Sequence, residues 1–323
     1  MSLNKIKKLA GPAILLAFFA YLMFFFLSDI DRFSPLLNIS PNVAAGLLGL
    51  SFLVFLGLSV QQYLILLSVK CKLSFSTVFL LAVSNTLLNY LPLKMGLVAK
   101  GGYLKFMHKL SVGDYLGTLA SGQLLWILLS ALIGAVVGFL TLYPELQTLN
   151  VTLMLLTALL ALSAVMTSLL LLTFRRPYMV EFLGKVLSVI RIDPKLIPCI
   201  SISRPIILLY VVSSGVLFGI FSLRVWCSFA VVGVDIDFLQ VLFLQACLSV
   251  SFAFSFVPGN LGLKEGAFVA LSAMYGLDLD GALLAALIDR AASLSLTFLL
   301  GPMALARLSY SVWLEKTVPP ISH

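Results

Sequence analysis

Two adjacent opposite-charge pairs, Lys264–Glu265 and Asp289–Arg290, stand in stretches that are otherwise almost wholly apolar. Ionisable groups in such surroundings are costly, and they mark either ion pairs or the path of a charged ligand. Position decides between partners. Glu265 lies eleven residues before Gly276, and Arg290 nine after Gly281. With both glycines at one membrane surface, each charge is about 14–16 Å deep at 1.5 Å of rise per residue. Equal depth puts Glu265 and Arg290 within reach of each other. Lys264 and Asp289 share that depth but face elsewhere, because helical neighbours point about 100° apart. At the matching places of an earlier segment stand Lys100 and Gln123, with Lys94 in a turn. The central groups are therefore Lys94, Lys100, Lys264 and Arg290 against Glu265 and Asp289. That cationic surplus suits an anion such as a phosphate. The Glu265–Arg290 pair reads equally as substrate ligands or as a structural clamp. Arg224, near the outer end of its apolar run, is expected to snorkel to head groups. Asn85 and Asn89 are expected to satisfy backbone groups freed by Pro92.

Other chemistry has little to stand on. The two histidines, His108 and His323, lie in a basic loop and at the terminus, so no zinc or Ser–His constellation assembles. No phosphate loop or dinucleotide fingerprint is present. Cys71, Cys199, Cys227 and Cys247 lack metal-ligand or redox spacing and read as packing residues without a disulfide. The expectation is a protein that is not an enzyme and needs no metal or cofactor.

The elements that position these charges follow from composition. Of 323 residues 61% are hydrophobic and 11% charged, whereas soluble domains carry roughly 25% charged residues. About 20 apolar residues cross the hydrocarbon core, and the runs at about 9–28, 43–69, 114–142, 151–174, 204–232 and 281–309 meet that length. The fold class expected is an all-α polytopic membrane protein, one transmembrane domain over 1–323. Two regions, 75–110 and 238–276, are instead broken by Pro92 and Gly96 and by Pro258, Gly259 and Gly262. Each reads as two half-helices joined by a turn at membrane depth, because fourteen helical residues cover only about 21 Å. Half-helices also aim N–H groups and partial positive charge at the turn.

LPLKMG (91–96) aligns with VPGNLG (257–262), and KLSVGDYLG (109–117) with GLDLDGALL (276–284), one residue having been inserted in the second copy. Interrupted short segments at corresponding places point to a transporter-like site; repeat one covers about 75–142 and repeat two about 238–309. The net charge of +8 forms no compact basic domain, so nucleic acid is not an expected partner. With both termini in the cytoplasm and each hairpin returning to its own side, Arg32 is the only basic residue of the outer loops, which satisfies the positive-inside rule. Three spans then separate the hairpins, so the repeats are inverted and their tips meet near the midplane. The inner loop 175–203, FRRPYMVEFLGKVLSVIRI and its flanks, reads either as an amphipathic helix on anionic lipid or as a solvated connector. The pairs Gly134/Gly138 and Gly215/Gly219 read as helix-packing contacts.

NYLPLKMG (89–96), VPGNLGLKEGAFVAL (257–271) and Arg290 in the following helix resemble the transmembrane domain of bacterial lysylphosphatidylglycerol synthase/flippases. The span layout is similar over nearly the whole chain, and the two turn motifs carry the specificity. The resemblance implies lipid translocation or handling of lipid-linked substrates, with both turns, Glu265 and Arg290 as family-matching positions. Where that family usually continues its first turn with an acidic residue and later an arginine, Leu97 and Lys100 stand here. The aminoacyl-transferring domain of the full-length synthases has no counterpart in the sequence, so the lipid-modifying activity is not carried over.

The function expected is translocation of an anionic phospholipid or a polyprenyl-phosphate-linked lipid across a bacterial inner membrane. The alternative is a non-transporting subunit that anchors or regulates a lipid or glycan biosynthetic enzyme. Partners are then the bilayer, the anionic lipid, and either such an enzyme or a second copy of the chain. A membrane-embedded lipid transferase is the weakest reading, for lack of a nucleophile or metal site.

Overall fold

The structure is a computed structural model that describes residues 39–91, 94–142, 157–163, 165, 203–253, 260 and 262–317. Pro92, Pro258, Gly259, the run 9–28 and nearly all of the loop 175–203 lie outside the described residues. Residues up to Ala44 belong to one compact unit and Ala45–His323 to a second, which holds the features below.

Every described element is helical. Four helices are long and apolar enough to cross a membrane: α1 (Pro41–Ser68), α4 (Val112–Leu142), α5 (Arg204–Val232) and α8 (Leu279–Thr317). They correspond to the expected runs 43–69, 114–142, 204–232 and 281–309. Between them stand two pairs of short helices, α2 (Phe75–Leu88) with α3 (Met95–His108) and α6 (Phe238–Ala253) with α7 (Leu263–Met274). At 14, 14, 16 and 12 residues, each spans about 18–24 Å, less than a hydrocarbon core of roughly 30 Å.

Local chemistry sets the ends. The Ser74 hydroxyl accepts from the Thr77 N–H at 3.2 Å and opens α2, as Ser capping rules require. Ser203 and Pro205 begin α5, and Gly233 at φ +76° ends it. The second helix of each short pair, α3 and α7, starts from positive-φ backbone: Lys94 has φ +48°, Asn260 +53° and Gly262 +78°.

Corresponding positions of the two aligned segments share more than residue type. Lys94 and Asn260, each two after its proline, are both left-handed, as are Lys109 and Gly276 at the ends of α3 and α7. Ser111 caps α4 by accepting from the Asp114 N–H, and its counterpart Asp278 caps α8 by accepting from the Gly281 N–H. Packing is also reciprocal: α2 lies on α8, and α6 lies on α4. In each case a glycine brings the helices close. A side chain at Gly301 would meet Leu87, and one at its counterpart Gly134 would meet Ala246.

Two of the core clusters pack the short pairs. Phe229, Phe243, Leu244, Leu248 and Phe268 pack the second short pair against α4, α5 and α8, with Phe229 and Phe268 stacked at 5.7 Å. Leu66, Val78, Leu81, Leu104 and Leu308 pack the first pair. Among hydrocarbon tails such contacts hold helices through close van der Waals fit, and small residues at the seam assist. Gly134 and Gly138 serve that role against Ala246 and Phe243. Gly215 and Gly219, expected to do the same, have no neighbour within 4 Å of an added Cβ among the described residues.

Candidate functional site

At the second turn Glu265 occupies the third position of α7, and its Oε2 accepts from the Gly262 N–H at 3.0 Å. Its Oε1 lies 2.5 Å from Arg290 Nε. Arg290 Nη2 donates to Glu265 Oε2 at 3.2 Å and to the Asn260 carbonyl at 3.0 Å. The expected contact is present, and it ties one long helix to both sides of the turn. Arg290 Nη1 is buried without a hydrogen-bond partner among the described residues.

Lys264 and Asp289 do face away from that pair, and they meet each other. Asp289 is fully buried and pairs with Lys264 Nζ on one side. On the other, Arg224 grips it as a fork, Nε to Oδ1 at 2.6 Å and Nη2 to Oδ2 at 3.2 Å, while Arg224 Nη1 donates to Ser51 Oγ at 3.2 Å. Planar two-point gripping of a carboxylate is the strong geometry for arginine. Arg224 therefore does not snorkel: it is 4% exposed and committed to the interior. The signal was present in the chain, because Arg224 lies nine residues before Gly233, about 14 Å from the end of its helix, the depth already assigned to Asp289.

These three residues border a cavity of about 310 Å³ whose walls include Gln61, Gln123, Gln245 and Tyr210. Two cations against one carboxylate leave it a net positive charge. Glu265 and Arg290 do not border it. A smaller cavity, about 140 Å³, shares Leu58, Gln61, Gly122, Gln123 and Tyr210 with the first and carries Lys100 and Asn85 on its far side. The Tyr210 hydroxyl donates to the Gly122 carbonyl at 3.0 Å across this shared wall. Lys100 is 8% exposed and donates to Gln62 Oε1 at 2.8 Å. Gln123 borders both cavities; Lys94 borders neither and begins α3 with its side chain half-buried.

The first turn is close-packed. Gly96 is buried, and a Cβ there would fall 2.6 Å from Asn89 Oδ1 and 2.9 Å from Asn85 Oδ1. Neither of those oxygens has a hydrogen-bond partner among the described residues, so the capping role expected of the two asparagines is not made by these atoms. Tyr90, which sequence reasoning passed over, packs at a 34° tilt beside Phe298 of α8, ring centroids 6.2 Å apart. It lies within electrostatic reach of Arg290, Arg224, Asp289 and Glu265, which brings the first turn to the charges of the second.

Comparison with curated proteins gives no match, and comparison with solved structures gives none. The family described as the lysylphosphatidylglycerol synthase TM region matches over residues 9–301. A multi-pass helical membrane protein with a cationic cavity lined by its four long helices and its second short pair, the chain belongs to the family of the lysylphosphatidylglycerol synthase TM region.

Proposed function

We propose that the protein is a transporter, not an enzyme, and moves an anionic phospholipid or a polyprenyl-phosphate-linked lipid between leaflets of a bacterial inner membrane. One observation carries the reading: a cavity inside the bundle holds Arg224 and Lys264 against the single carboxylate of Asp289. A buried pair is costly to form, and a spare cation beside it gives an arriving phosphate a partner that water otherwise supplies. The greasy part of the substrate stays in the bilayer.

The two short pairs are read as re-entrant hairpins in an inverted repeat, with both termini cytoplasmic. The shared left-handed residues, the corresponding helix caps and the reciprocal packing of α2 on α8 and α6 on α4 support this. Glu265 and Arg290 hold the second turn, while Arg224, Lys264 and Asp289 meet the substrate.

The test is reconstitution. Vesicles containing the purified protein should transfer fluorescent anionic phospholipids between leaflets, and Arg224→Ala or Lys264→Ala should abolish transfer in protein that still folds. Absence of transfer across several anionic and polyprenyl-linked lipids would replace this reading with a non-transporting subunit of a biosynthetic enzyme.

A further inference from the structure

Lys100 is a buried cation whose hydrogen-bond partner among the described residues is a neutral amide, the Gln62 side chain, and none of the described ion pairs includes it. Burying an ammonium in apolar surroundings is unfavourable unless an anion joins it. Its position suggests which anion. Lys100 borders two spaces that have no other residue in common. One is the small cavity that shares Gly122, Gln123 and Tyr210 with the cavity of the Arg224–Lys264–Asp289 cluster. The other is a groove of about 330 Å³ between α3 and the last turns of α8, walled by Tyr103, Phe106, Leu305, Leu308 and Val312. Phe106 is 50% exposed, so the groove is open to the outside of the bundle. Leu305 is sixteen residues along α8 from Asp289, a separation of about 24 Å by helical rise. Lys100 and the three-residue cluster border a series of neighbouring spaces that share lining residues.

We infer that the groove takes an acyl chain of an anionic phospholipid while the lipid's phosphate engages Lys100, a second anion site at the lateral entrance of the passage. The shape accounts for both halves of such a molecule: an apolar slot open to the outside of the bundle, and a lone buried cation at its inner end. Gln62 holds the ammonium in place when no phosphate is bound and yields a hydrogen bond, not a charge pair, when one arrives. The inference deepens the transporter reading and rests on it only for the onward passage, because occupancy at Lys100 is measurable without translocation.

Photolabelling tests it. The purified chain in a neutral maltoside detergent is irradiated with phosphatidylglycerol carrying a diazirine in its acyl chain, and separately with diacylglycerol carrying the same chain. Adducts on Tyr103, Phe106, Leu305 or Val312 should be several-fold more abundant with the phospholipid. Lys100→Gln should remove that excess and Lys100→Arg should keep it, while Lys264→Gln should leave it intact and slow transfer in vesicles. Equal labelling by the two lipids, an excess that survives Lys100→Gln, or its loss in Lys264→Gln would each overturn the assignment. The head-group contrast is read on unmodified protein, so a folding defect cannot mimic it. Head-group-dependent labelling without transfer sustains the site and sinks the transporter reading; transfer without such labelling does the reverse.

Discussion

At the scale of single residues, the charges divide into a clamp and a group that lines a cavity. Glu265 and Arg290 join the Gly262 N–H and the Asn260 carbonyl to α8; Arg224, Lys264 and Asp289 border open space. Asp289 is the keystone of the second set, since its removal leaves two cations facing one neutral group. Asp289→Asn should lower stability by about 3–5 kcal/mol, the usual consequence of stranding buried charge, seen as an earlier thermal transition in detergent. Lys264→Gln should be milder because the Arg224 fork survives it. An unchanged transition in Asp289→Asn would mean that water, not the carboxylate, neutralises the cations. Gly96 makes a second residue-scale case. Alanine there would press on the Asn85 and Asn89 side-chain oxygens, and overpacking of this kind costs about 1–3 kcal/mol. Gly96→Ala should therefore destabilise in the same assay, whereas Gly102→Ala, at a site with no neighbour within 4 Å of an added Cβ, should not.

Between elements, the seams α2–α8 and α4–α6 carry the reciprocal arrangement, and each relies on a glycine. Gly134→Leu and Gly301→Leu should each force a short helix away from its long partner and shift the thermal transition down. Gly215→Leu and Gly219→Leu, with no neighbour within 4 Å of an added Cβ among the described residues, should stay within about 0.5 kcal/mol of the parent, as substitutions away from packed features do. Equal effects at all four positions would show that helix propensity, not the seam, governs stability. The ends of α8 illustrate a limit of hydropathy. An apolar run over 281–309 gives way to Glu315 and Lys316, yet the helix continues to Thr317 because charge and helix propensity are independent, and Leu, Glu and Lys all favour helix.

For the molecule as a whole, the sidedness of the loops is the sharpest consequence of the proposed hairpins. In a background with its cysteines replaced, Lys72→Cys and Lys109→Cys should both react with a membrane-impermeant thiol reagent from the cytoplasmic side. Asp237→Cys and Asp278→Cys should both react from the outside. Opposite sidedness within either couple would mean that a short pair crosses the membrane completely, and the inverted arrangement would fall with it.

Composition and spacing alone determined that this is a membrane protein, where α1, α4, α5 and α8 run, that two proline–glycine breaks shorten the helices beside them, and that Glu265 meets Arg290. All of these follow from length, rise per residue and apolarity, which are local or one-dimensional quantities. Which charges share a cavity was decided by the tertiary structure. Arg224 belongs to a helix outside both aligned segments, and depth gives a residue's height but not the direction it faces. The rotation of α5 that turns Arg224 onto Asp289 is fixed by how α5 packs on α8, α6 and α4. An apolar helix with little polar asymmetry carries no record of that angle in its sequence.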